Sequence, residues 1–322
     1  MRVRLPSILT LFLIVSANAA EPRHPGIRIL SNARLQLEVM DPAAAQPYYR
    51  GARFSPVANV LRAVLDGHDF LYSPVAHDPL QEDAGLAMEF DLFQRDFGPP
   101  GFVEAADGEG FVKVGVGVLK KAGEKYNCAI SYEIIKRAET DTTWSRDSAQ
   151  FYQVCDGVNG YAYVLDVTVS LSAEEVEVQY QLRNTGAKEL LTEQYAHNFF
   201  QFDGRVAGPD YEVEFPYDFE ATIPKPVIEK RGKSLVLNDE ITPKIKAAQA
   251  HIDPLGDARS SDSVIVRNRN AGMEIVAQLS RPVSRFTLHV APPYLAPEQF
   301  LLIKLEPGET TQWTRTYKFI LR

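Results

Sequence analysis

The chain has 322 residues, 45% hydrophobic and 10% aromatic, with 34 Lys and Arg against 42 Asp and Glu and a formal net charge of −8. A dispersed acidic balance of this kind argues against nucleic acid as a partner, which needs a basic footprint. Such a length suits one large β domain or two ordinary ones.

Arg2 and Arg4 precede an apolar run from Leu5 to Val15 and the small residues Ala17-Asn-Ala-Ala20, the layout of a secretory leader. The run is too short to span a bilayer as a resident helix, and no later run is long enough to cross one. The expectation is a leader over 1–19, one domain over 20–322, a periplasmic or secreted location and no membrane partner after cleavage. Without Arg2 and Arg4 the mature chain carries 32 basic against 42 acidic residues.

The segment 26–40 reads as two short strands, with alternation in Leu35-Gln-Leu-Glu-Val39. Arg50 and Arg53 then stand among Tyr48, Tyr49 and Phe54, ahead of an apolar stretch over 57–65. Gly67-His68 marks a hairpin turn into Asp69-Phe-Leu-Tyr72. The acid-rich segment 83–97, which contains Glu89, reads as a loop, and Pro99-Pro-Gly101 breaks the chain after it. Over 111–118, Val112, Val114, Val116 and Val118 alternate with Lys113, Gly115 and Gly117, the pattern of a strand with one aliphatic side.

Cys128 and Cys155 are the only cysteines. If 126–136 and 150–156 form a hairpin folded about residues 141 and 142, the two lie opposite each other. An oxidising compartment then favours a cross-strand disulfide; two reduced, buried thiols are the alternative.

Alternation is strongest in Tyr161, Tyr163, Leu165, Val167, Val169 and Leu171, and again in Val176, Val178, Tyr180 and Leu182. Turns at 172–175 and at Asn184-Thr-Gly186 would make the following segment the third member of an antiparallel meander. That segment, Glu193 to Asp203, sends Glu193, Tyr195, His197, Phe199 and Gln201 one way and Ala196, Asn198, Phe200 and Phe202 the other. The first face is aromatic and polar together, which suits a sugar with apolar C–H faces and many hydroxyls. His197 at its centre has the free pKa for proton transfer near neutral pH. A hydrogen-bonded histidine on a half-buried strand is the plainer reading.

Residues 216–262 are irregular, with a short helix expected over 244–251, and strands resume at 263–267, 273–279, 285–290, 300–305 and 312–321. Many short strands without a sustained helical period predict an all-β protein, a large antiparallel β-sandwich. His68, His77, His251 and His289 show no metal-ligand spacing. The Gly-x-Gly at 115–117 opens no helix, so neither metal nor cofactor is expected. Nothing in the pattern bears on oligomeric state.

Tyr195-Ala-His-Asn-Phe-Phe200 resembles the histidine strand of the galactose mutarotase-like (aldose 1-epimerase-like) superfamily. The segment from Ala296-Pro-Glu-Gln to Pro307-Gly-Glu-Thr310, with Trp313 to Phe319 after it, is similar to that family's closing segment. Arg50-Gly-Ala-Arg53 is similar to its arginine-bearing segment near the sugar. The resemblance implies a mutarotase-like sandwich that takes a mono- or oligosaccharide and no cofactor. It implies Glu298 as the base and His197 as the acid in interconverting anomers at C1. Arg50 and Arg53 would hold hydroxyls or an anionic sugar group, with Glu89 beside them as a binding residue or their structural partner. Tyr195 and Phe199 would stack on the ring. The second, upstream histidine of the mutarotases has no counterpart between Trp144 and Gln194. A carbohydrate-binding module without turnover, and a lyase or hydrolase on the same sandwich, are the other readings.

Overall fold

The computed structural model describes residues 21–74, 76–81, 83–92, 98–238, 247–252 and 262–322, and the leader expected over 1–19 lies outside them. The described residues form strands and turns and no helix.

The chain runs through β1 (Ile27–Ser31), β2 (Leu35–Met40), β3 (Ser55–Leu65), β4 (His68–Asp69), β5 (Leu86–Asp91), β6 (Gly110–Lys113) and β7 (Gly117–Lys120). It continues as β8 (Ile134–Arg137), β9 (Glu139–Trp144), β10 (Ser148–Val158), β11 (Tyr161–Ser172), β12 (Glu175–Asn184), β13 (Leu190–Asn198) and β14 (Tyr211–Glu214). It ends with β15 (Ile228–Arg231), β16 (Ser234–Leu237), β17 (Ala248–Ile252), β18 (Asp262–Asn268), β19 (Met273–Leu279), β20 (Arg285–Ala291), β21 (Tyr294–Leu305) and β22 (Thr310–Leu321).

Two large antiparallel sheets stack face to face. The first has the order β1-β2-β3-β5-β13-β21-β20-β17 with β4 paired to β3, and the second β15-β16-β14-β18-β19-β22-β12-β11-β10-β9. Alternation supplies the core between them: Val167, Val169, Val178 and Leu182 of the second sheet join Leu86, Met88, Phe90, Ala196 and Phe200 of the first in one buried cluster. Rings meet across the interface, Phe70 with Phe319 at 5.1 Å and Phe90 with Trp313 at 6.3 Å between centroids. A small sheet, β6-β7-β8, completes the structure.

Several expectations are corrected. The strand bearing His197 is not the third member of the meander: β12 pairs with β22, whereas β13 lies between β5 and β21 in the other sheet. Asn184-Thr-Gly186 therefore carries the chain from one layer to the other, and β13 is buried along almost its whole length. The acid-rich segment 83–97 contains a central strand, β5, in which all six residues are buried; residues 93–97 lie outside the described residues. Its acids resembled a loop because their compensating cations come from elsewhere in the chain. The valine-rich run over 111–118 is not one strand but the hairpin β6–β7. Gly115 (φ 83°) and Gly117 (φ 137°) hold conformations that side chains disfavour, and a Cβ at Gly115 would come within 2.7 Å of Ser55. The described part of the expected helix over 244–251 is strand β17, paired with β20; residues 244–246 lie outside the description.

The disulfide is corrected as well. The hairpin is β9–β10, with Ala149 opposite Trp144 and Val154 opposite Glu139, so its turn falls at 145–148 and not at 141–142. Cys155 faces the core from β10, Cys128 lies in the segment before β8, and both are free thiols.

Candidate active site

The face of β13 that bears His197 is assigned by its opposite face. Asn198 donates to the Pro297 carbonyl (2.7 Å) and accepts from Tyr317 Oη (3.0 Å) of the second sheet, and Gln194 Oε1 accepts from Arg315 Nη2 (2.7 Å) on the same strand as Tyr317. Gln194 and Asn198 thus point into the sandwich, and Tyr195 and His197 point out of it.

Register then collects the site. The pairing that sets Gln194 opposite Leu301 and Phe200 opposite Leu295 puts His197 across from Glu298. Glu298 in turn faces Thr287, and Thr287 faces His251; Ala296 faces His289, and His289 faces Gln249. On the other flank Tyr195 faces Glu89 and Glu193 faces Asp91. Five neighbouring strands therefore present one continuous polar and aromatic face, and a cavity of about 280 Å³ opens on it. His197 and Glu298 form part of its lining, with Tyr195, Tyr294, Phe300, Arg53, Arg285 and His289 around them.

His197 Nε2 lies 3.2 Å from Glu298 Oε1. The distance is that of an ion pair, but burial opposes the charge on both groups. Burial pushes Glu298 up to about 8, against the pull of Arg53 and Arg285, and burial together with Arg53 and His289 holds His197 well below 6.5. Both arginines already serve other carboxylates: Arg53 Nε meets Glu89 at 3.2 Å and Arg285 Nη2 meets Glu193 at 2.9 Å. Burial thus favours the uncharged form of each group at this contact.

His197 stacks on Phe199 (4.1 Å, 16° between planes), and its Nδ1 has no hydrogen-bond partner among the described residues. His289, its neighbour at 5.5 Å between ring centroids, is depressed to about 4 by burial and Arg53. The Gln249 amide lies 3.3 Å from His289 Nδ1. An N–H donated there leaves the imidazole proton on Nε2.

Of the residues singled out from sequence, His197, Glu298, Tyr195 and Arg53 meet at this cavity. Arg50 does not. It is exposed, its backbone N–H bonds the Pro79 carbonyl, and it lines a separate cavity with His24 and His77. The two arginines diverge because residues 50–53 follow no regular strand period. Glu89 is fully buried beneath the floor. It accepts from Lys113 Nζ (2.7 Å), Arg53 Nε and Tyr195 Oη (2.5 Å), which makes it the structural partner of Arg53 and not a ligand contact. Burial opposes its charge, yet Lys113 and Arg53 hold its carboxyl below the ordinary value. Phe199, also fully buried, supports His197 from behind and offers no surface to a sugar. Tyr294 and Phe300 provide the aromatic walls in its place.

Arg285, His289 and Tyr294 had no signal as isolated residues. Alternation in Arg285-Phe-Thr-Leu-His289 does place Arg285, Thr287 and His289 on one side, which is the trace the site leaves in β20. Glu89, Asp91 and Cys128 bring potential ligand atoms within 4.8 Å of one another. Lys113 Nζ already pairs with Glu89 at 2.7 Å, and burial pushes the Cys128 thiol up to about 12, with Glu89 adding to the effect, so the thiolate a metal would need is disfavoured.

No protein-family model matches the chain, and no curated protein matches it in sequence. Solved structures do match over almost the full length. Slr1438 from Synechocystis sp. PCC 6803 aligns with a TM-score of 0.58 at 12% identity, covering 95% of this chain and 99% of its own. A galactose mutarotase-like protein from Lactobacillus casei ATCC 334 gives 0.56 at 13% identity over 92% and 100%. Galactose 1-epimerase from Lactobacillus acidophilus NCFM gives 0.51 at 12% identity over 91% and 93%. The chain has the fold of the galactose mutarotase-like superfamily.

Proposed function

We propose that this protein is an exported, aldose 1-epimerase-like enzyme that interconverts the anomers of a reducing sugar. The observation that carries the reading is the His197–Glu298 contact, 3.2 Å long and almost fully buried, at a cavity with aromatic walls and polar donors. Anomer exchange needs one group to take the C1 hydroxyl proton and another to protonate the ring oxygen; the ring opens, the aldehyde turns and the ring recloses. A protonated carboxyl beside a neutral imidazole meets that need at neutral pH. In ring opening Glu298 then protonates the ring oxygen as the bond from C1 breaks, and His197 accepts the C1 hydroxyl proton as the carbonyl forms; the roles reverse on closure. This assignment inverts the one implied by the sequence resemblance, because burial favours the uncharged form of each group.

Neutral sugars fit better than uronic or phosphorylated ones. Arg53 is matched by Glu89 and Asp83, and Arg285 by Glu193, so little positive charge is left for an anionic substituent. The epimerase named among the structures of the same fold adds support of a general kind.

The test is polarimetric or NMR relaxation of freshly dissolved aldoses with and without protein. His197→Asn and Glu298→Gln are each expected to lower the catalysed rate by about 10²- to 10⁴-fold while the protein stays folded. Relaxation equal to the buffer control, accompanied by sugar binding, would replace the enzyme with a carbohydrate-binding module.

A further inference from the structure

We infer that a second sugar subsite adjoins the catalytic cavity, so that the substrate is the reducing end of a disaccharide or longer oligosaccharide; the inference rests on the C1-epimerase reading. Next to the cavity above His197 and Glu298 lies another of about 160 Å³, and the two share Arg53, Asp83 and Cys128. The first, at about 280 Å³, falls just short of the range of roughly 300–1,000 Å³ typical of small-molecule sites. The second enlarges it on a side that neither His197 nor Glu298 lines.

The shared wall is anchored at its centre by contacts to Arg53. Arg53 is held by Glu89 at 3.2 Å and by Asp83 at 3.6 Å, and its guanidinium lies against the Phe54 ring, 4.4 Å from the centroid. A fork so anchored belongs to both cavities and can hold a hydroxyl or bridging oxygen between two rings. Beyond it, Leu80 and Ile130 stand together with Gln81 and Ser131. Leu80 is 51% and Ile130 41% exposed. Single exposed aliphatics are ordinary. Two that share one cavity with an amide and a hydroxyl repeat the combination found above His197, apolar surface for C–H faces with polar groups for hydroxyls.

The experiment compares glucose and galactose with cellobiose, maltose and lactose, by anomer relaxation and by calorimetric titration. For at least one disaccharide, kcat/KM is expected to exceed that of its reducing-end monosaccharide by about tenfold, with a Kd lower by a similar factor. Ile130→Ser and Leu80→Ser should each return these ratios toward one. Ratios of one or below in both measurements for all three disaccharides overturn the subsite and leave the epimerase intact. Absence of acceleration for every sugar, with tighter disaccharide binding, overturns the epimerase and retains the subsite. A disaccharide preference undiminished in both variants overturns the assignment to this cavity.

Discussion

Glu298 carries a burden that its stability profile should reveal. A carboxyl held protonated by burial binds more protons folded than unfolded, so stability falls as pH rises from its ordinary value of 4.5 toward about 8. His197 and His289, both depressed, act in the opposite sense: their contribution is present above 6.5 and lost as pH falls. The imidazoles are shared by the wild type and Glu298→Gln, so the difference between the two isolates Glu298. Denaturant unfolding at pH 6.5 and pH 8 should show the wild type losing about 2 kcal/mol more than Glu298→Gln over that interval. Equal losses would mean that Glu298 is ionised in the folded protein. The same group predicts that catalysed mutarotation falls as pH rises through about 8, a profile that kcat/KM reports for the free enzyme.

Strands β13 and β21 owe their placement to polar contacts on the hidden side of the sheet. Arg315 of β22 is fully buried and donates to Gln194 Oε1 and to the carbonyls of Gln194 and Gln299, all neutral acceptors. Asn198 bonds the Pro297 carbonyl, so the residues next to His197 and Glu298 are tied to each other from below. Gln194→Leu removes the Oε1 acceptor and leaves the buried guanidinium only the Gln194 and Gln299 carbonyls, which should cost about 3 kcal/mol, whereas Arg315→Met removes the charge together with its need for partners. In the double variant the losses should fall short of additive by about 2 kcal/mol, measured as a double-mutant cycle in denaturant. Additive losses would show that the two side chains do not interact.

Across the whole molecule, the cysteines lie on different elements, Cys155 in the main core and Cys128 beside the candidate site. Thiol titration of denatured, unreduced protein should therefore find two free thiols, and a count of zero would restore the crosslink. The fold itself survives at 12–13% identity to its structural neighbours because stacking two sheets asks mainly for alternating apolar residues, which many sequences supply.

Much of this was legible in the sequence. Period-two alternation located β11, β12 and β22 and the outward set Tyr195 and His197, since a strand's side chains have no other way to divide between core and surface. The resemblance of the closing segment pointed to Glu298. What the sequence did not decide was which strands become neighbours. The crossing of β13 into the other sheet, the hairpin register that separates Cys128 from Cys155, and the arrival of Arg285, His289 and Tyr294 beside His197 all depend on pairings between segments distant in the chain. Local pattern fixes the face on which a side chain lies, and only tertiary packing determines what stands opposite it. Burial, which disfavours charge on both His197 and Glu298, is a property of that packing alone.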